Sequence, residues 1–220
     1  MRWDRFFEDL EHQLDFEHDA RRRALDGEAE RLRLSRLELR TRLLGLVGAQ
    51  LGVELAALGT QREPGGALAG GVLRGRAAAV GADWLGLELG QGSADRAAAI
   101  PLRGIGCLHL DRPALLASRG VAAAGGADLA GGADTAAGGR SRAASLTERQ
   151  SFGFVLRDLA RRRRPVTLHD GSDRMLHGTI DGVGVDHLEL ALHERGGARR
   201  EAEVSGYRIV PLLAVAWVEC

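Results

Sequence analysis

Two stretches decide how this chain folds: Val80-Gly81-Ala82-Asp83-Trp84-Leu85-Gly86-Leu87-Glu88-Leu89 and Val183-Gly184-Val185-Asp186-His187-Leu188-Glu189-Leu190-Ala191-Leu192. They align without a gap as V-G-x-D-x-L-x-L-x-L, each at the same distance from a preceding glycine, Gly75 or Gly178. Self-similarity of this kind marks a duplicated structural unit. The leucines alternate with period two, which gives a strand one buried and one wet face. Val-Gly-x-Asp reads as a tight turn into that strand, with glycine supplying backbone freedom and aspartate a side-chain hydrogen bond.

Working outward, Ile100-Pro101-Leu102-Arg103-Gly104-Ile105 answers Val210-Pro211-Leu212-Leu213-Ala214-Val215. Upstream, Leu51-Gly52-Val53-Glu54-Leu55 answers Arg164-Pro165-Val166-Thr167-Leu168. A helix-like segment precedes each copy, Leu37 to Val47 and Phe152 to Arg162. Each unit then reads as helix, strand, bent strand pair, strand, Pro-marked turn and last strand, the layout of a small bent sheet closing on itself as a barrel. The longer loops, 57–71 in the first copy and 193–205 in the second, fall between strands, where insertions are tolerated.

Trp3, Phe7, Leu10 and Leu14 recur at steps of four, three and four, one stripe of an α-helix. The stripe weakens over the charged run Glu17 to Arg23 and resumes around Leu25, Ala29 and Leu32. Ser35-Arg36-Leu37-Glu38 has the spacing of a capping box, which places a helix boundary there. Such an arm either self-associates as a coiled coil through Trp3, Phe7, Leu10 and Leu14 or folds back on a barrel. Residues 111–150 are mostly Ala, Gly and Ser, too poor in large apolar groups to offset the entropy of ordering. The expected organisation is a helical arm over 1–34, a first module over 35–110, a flexible linker over 111–150 and a second module over 151–220.

The pattern of helix, Val-x-Leu, Gly-x-Ile, Asp-x-Leu-x-Leu and a closing Val-x-x-Val strand resembles the Sm-like (SH3-like) barrel. Phe152 to Glu219 carries it best, and Leu37 to Leu110 carries it a second time. The opening Met1-Arg2-Trp3-Asp4 also resembles an uncharacterised actinobacterial family whose members start in M-R-W-D. The resemblance implies an α+β, mainly β fold: the arm, then two small five-stranded Sm-like/SH3-like barrels, each preceded by a helix. Sm proteins read RNA with an Asn near the third strand and a basic-Gly pair in the last turn. Here Leu87 and Leu190 stand near the Asn position, and only Arg103-Gly104 matches the pair, against Leu213-Ala214 in the second copy.

The charge balance is zero, thirty basic against thirty acidic residues, so the overall basic footprint of a nucleic-acid binder is missing. All thirty basic residues are Arg, and neither Lys nor Asn occurs, which reads as the codon bias of a GC-rich genome. No apolar stretch has the length of a membrane span, and cytoplasm is the expected location. His169, His177, His187, Glu189 and His193 offer metal-ligand chemistry without a ligand-pair spacing, so no metal or cofactor is expected. Cys107 and Cys220 form no redox or metal motif. Ser141, Ser145 and Ser151 lack a nucleophile's turn, and Asp83 and Asp186 read as turn residues rather than a catalytic pair. The expected function is therefore a non-catalytic assembly or adaptor protein that binds protein partners through tandem barrels, with self-association through the arm. The alternative is a nucleic-acid-binding protein that grips RNA or DNA phosphates with Arg161, Arg162, Arg163 and Arg164.

Overall fold

The structure is a computed structural model that describes residues 2–56, 72–90, 96–124, 146–171, 174–195 and 203–220, with backbone alone for 2–15 and 121–124. The apolar-periodic arm is one uninterrupted helix, α1 (Arg2–Ser35), continuous through the charged stretch after Phe16. Ser35 is its last residue: the hydroxyl donates to the Leu32 carbonyl at 2.8 Å, so it does not cap the next helix as the spacing suggests. That next helix, α2, is short (Leu39–Leu44).

Among the described residues the alternating segments form ten strands. The first five are β1 (Gln50–Leu55), β2 (Val72–Val80), β3 (Trp84–Leu89), β4 (Arg96–Pro101) and β5 (Ile105–His109). The second five are β6 (Pro165–Asp170), β7 (Met175–Val183), β8 (His187–Leu192), β9 (Gly206–Pro211) and β10 (Val215–Glu219). Helices α3 (Arg112–Ala124) and α4 (Phe152–Arg161) lie between the two sets. The expected linker therefore begins as helix, with Ala114 and Ser118 buried. Asp111 caps α3 by accepting from the Ala114 amide at 2.8 Å.

Two separate five-stranded Sm-like/SH3-like barrels are not what forms. All ten strands belong to one antiparallel sheet in the order β5-β1-β2-β3-β4-β10-β6-β7-β8-β9. The reason lies at β10, whose two edges bond β6 on one side and β4 on the other. Val218 pairs with Ala99 and Glu219 with Ala98, while Ala97 and Cys220 exchange amide bonds of 3.0 and 2.9 Å. Two closed barrels would have to withdraw those bonds. The continuous sheet satisfies them and, among the described residues, leaves β5 and β9 as its unpaired edges.

Within the sheet the halves run in parallel registers. Gly75 lies opposite Leu89 and Gly178 opposite Leu192, with a bulge three residues further on in each case. The Asp83 carbonyl accepts from the Leu102 amide at 2.8 Å, and the Asp186 carbonyl from the Leu212 amide at 2.7 Å. The upstream alignment needs correction by two residues: Leu51 pairs with Gly75 and Val166 with Gly178, so Leu51 answers Val166 rather than Arg164. A shift of two keeps every side chain on its face, so alternation alone could not detect it.

Each half has its own core. Leu43 and Leu46 pack with Val53, Leu85, Leu87 and Ile100 in the first. In the second, Phe152, Leu156 and Leu159 recur at steps of four and three, the buried stripe of α4, over Leu168, Ile180 and Leu190. Ser151 caps α4 by accepting from the Phe154 amide. Asp83 reaches across to accept from the Phe152 amide at 2.6 Å, tying this helix to the first half. Arg40 adds a second tie, donating to the Gly81 and Glu148 carbonyls at 2.8 and 2.9 Å.

Candidate functional site

The free edge β9 is the most unusual surface of the sheet. Its Tyr207 and Ile209 are 60% and 71% exposed, and Leu213 in the following 3-10 turn is 74% exposed. By register their counterparts in the first half are Ala97, Ala99 and Arg103, which stand at the joined β4–β10 seam. There Ala99 is only 4% exposed. Arg103 lies against the second half, its guanidinium donating to the Leu212 carbonyl. The same comparison holds for β5, the counterpart of β10. Val215, Ala216, Trp217 and Val218 are buried in the seam, whereas Gly106, Cys107 and His109 on the free edge are exposed. Exposed apolar groups along an unpaired strand invite pairing with another chain.

A second feature is a polar layer on one face of β6, β7 and the segment after β8. His193 is satisfied: Nδ1 donates to the Glu194 carbonyl at 3.0 Å and Nε2 accepts from the Thr179 hydroxyl at 2.9 Å. His177 Nδ1 meets the Thr167 hydroxyl at 3.0 Å, and its ring stands edge-on to His193. His169 stacks on Trp217 with ring centroids 3.8 Å apart. Its two ring nitrogens and His177 Nε2 are buried without a hydrogen-bond partner. Burial accordingly holds both His169 and His177 below the ordinary imidazole range, and Arg195 pushes the same way. The sheet thus gathers three of the histidines singled out in the sequence, His169, His177 and His193. It leaves His187 at the far end of β8, bonded to Asp186 at 2.8 Å, and Glu189 exposed.

A depressed histidine favours the neutral form in the fold, so the unfolded chain binds more protons below the ordinary value of about 6.5. The stability this contributes is complete above that pH and is lost as pH falls from it toward the depressed values. Chemical denaturation between pH 7 and 5 is expected to show declining stability, with a shallower decline in His169→Phe, which keeps the stack on Trp217 but cannot titrate. An unchanged slope in that variant would rule out His169 as a source of the acid sensitivity.

Arg161 to Arg164 are exposed at the end of α4. Asp158 holds both Arg161 and Arg162 at 2.7 Å, and these pairs lower its own carboxyl pKa, with the Arg161 hydrogen bond the main cause. Arg163 adopts φ 51°, and the Arg163 and Arg164 amides turn back to the Ala160 and Leu159 carbonyls, which closes the helix. In the arm, Trp3, Phe7, Leu10 and Leu14 lie on α1 but their side chains are outside the described residues; Phe16, Leu25 and Leu32 are exposed.

One group was invisible in the sequence. Glu54, Cys107 and His109 place one ligand atom each within 4.8 Å of one another. Only the β1–β5 register joins Glu54 to residues so distant in the chain, setting it directly opposite Cys107. No helix among the described residues is long and apolar enough to cross a membrane. Against protein-family models, curated proteins and solved structures, the chain has no match.

Proposed function

We propose that this chain is a non-catalytic assembly protein whose copies join edge to edge, β9 of one against β5 of the next. The observation that carries this reading is the mismatch between the seam and the free edges. Ala97 and Ala99, small residues where β4 meets β10, have Tyr207 and Ile209 as their counterparts on β9, which are large and exposed. Transferring the seam register sets Leu108 opposite Ile209 and His109 opposite Arg208. Such a contact is heterologous, so it either closes a ring or propagates.

Sedimentation of the full chain over a concentration range is the test. Multiples of the monomer mass are expected, and Ile209→Lys is expected to run as a monomer. Because Ile209 is exposed, that change should alter monomer stability by no more than about 0.5 kcal/mol. A wild-type chain that stays monomeric would refute the proposal. So would an oligomer that survives Ile209→Lys but is lost on removing residues 1–34, which would assign association to Trp3, Phe7, Leu10 and Leu14 of the arm. The second reading is nucleic-acid binding through Arg161–Arg164, supported by the common exposure of those four side chains. It requires salt-dependent RNA or DNA binding that is lost when the four are replaced by Gln.

A further inference from the structure

We propose that Glu54, Cys107 and His109 bind a divalent transition-metal ion, Zn2+ foremost. Cys107 and His109 are two apart on β5 and so project from the same face of the sheet. Glu54 is the direct cross-strand partner of Cys107, and His109 lies opposite Gly52. A Cβ added at Gly52 would stand 3.1 Å from the His109 Cβ, so the glycine leaves room for the imidazole beside the carboxylate. Glu54 Oε2 and His109 Nε2 are 3.4 Å apart. A tetrahedral ion with bonds of about 2.1 Å spans about 3.4 Å between neighbouring ligands. Two of the three donors therefore already stand at the required separation, and the sulfur lies within 4.8 Å of both.

The donor set selects the ion. One thiolate, one imidazole and one carboxylate suit zinc and its neighbours, whereas calcium and magnesium take oxygen donors. Three protein ligands leave a fourth position open to water or another donor. The site is reachable: Cys107 and His109 are exposed, and His109 also lines an open groove with Gln50, Arg74, Gly90 and Asp111. The equivalent positions of the second half hold His169, Trp217 and Glu219, and there Trp217 is stacked on His169 inside the seam. A thiol can occupy this position in the first half because β5 is a free edge with no seam to fill. His109 also stands opposite Arg208 in the edge pairing proposed above, so the two proposals share this residue, and metal binding by the Ile209→Lys monomer tests the site apart from the pairing.

Titration of the reduced full chain with Co2+ tests the site, because a thiolate on tetrahedral cobalt gives a near-ultraviolet charge-transfer band together with intense visible bands. One ion per chain is expected, displaced by Zn2+. Cys107→Ser should abolish the charge-transfer band, and Cys220→Ser, which removes the chain's other thiol, should retain it. His109→Ala and Glu54→Ala should each weaken binding at least about tenfold. The absence of a thiolate band in the wild type, its persistence in Cys107→Ser, or affinity unchanged in His109→Ala would overturn the proposal. Circular dichroism of each variant separates lost ligation from lost fold.

Discussion

Gly178→Ala is expected to destabilise the sheet by about 3 kcal/mol, at the upper end of what overpacking costs. A Cβ built on Gly178 would sit 2.1 Å from the Ala191 carbonyl oxygen, and one on Gly75 would sit 2.4 Å from that of Glu88. Both obstacles are backbone of the adjacent strand, so no side-chain rotation can relieve them. The strand must move instead, and in moving it breaks ladder bonds on β8 or β3. Neither glycine has positive φ, so the requirement is for space and not for an unusual backbone conformation. Gly120 in α3 is the control, since a Cβ there meets nothing within 4 Å. Gly120→Ala should stabilise the chain by roughly 0.5–1 kcal/mol through helix propensity. Urea unfolding of the two variants measures this directly. If Gly178→Ala matched the wild type, the close approach of β7 to β8 would not exist in solution.

These glycines show how much of the fold is readable beforehand. Gly75 and Gly178 stand at matched distances from their Val-Gly-x-Asp turns, and the Leu-x-Leu-x-Leu runs announce β3 and β8 by period alone. The stripe Phe152, Leu156 and Leu159 likewise announces the buried face of α4. The seam is not announced. Ala97, Ala98 and Ala99 look like an indifferent small-residue stretch, and nothing local says that β10 will lie beside them. Strand partners across the chain are set by edge bonding between distant segments, which is why two closed barrels are the natural expectation and one continuous sheet is the outcome. The same applies to Glu54, Cys107 and His109. Cys107 and His109 are a bare C-x-H in sequence, and the third donor comes from a strand more than fifty positions earlier. The histidine layer is legible only as far as His169 and His177 flanking one hairpin, because bringing His193 to them depends on the β6–β7 register and on the backbone contact of His193 with His177.

Trp217→Ala tests the seam itself and is expected to cost roughly 3–5 kcal/mol, the range for truncating a buried aromatic residue. Trp217 sits on β10 of the second half yet packs within the core of the first, beside Leu87, Ala98 and Ile100. Its other face carries the parallel His169 ring. Removing it therefore leaves a cavity on the first-half side and uncovers a histidine on the other. Two consequences should appear together. The midpoint of denaturation falls sharply, and the His169 resonance titrates closer to the ordinary imidazole value, since burial is the main cause of its depression. Trp217→Phe keeps a ring against His169 and should lose less on both counts. The direct β4–β10 pairing is short, Val218 with Ala99 and Glu219 with Ala98, supported by Arg96 Nε donating to Glu219 at 2.6 Å. With so few ladder bonds the apolar contact must supply most of the coupling between halves. The wild type should accordingly unfold in one cooperative step, and Trp217→Ala in two, as the halves come apart before either melts. A single unshifted transition in Trp217→Ala would mean that the ladder bonds alone hold the seam.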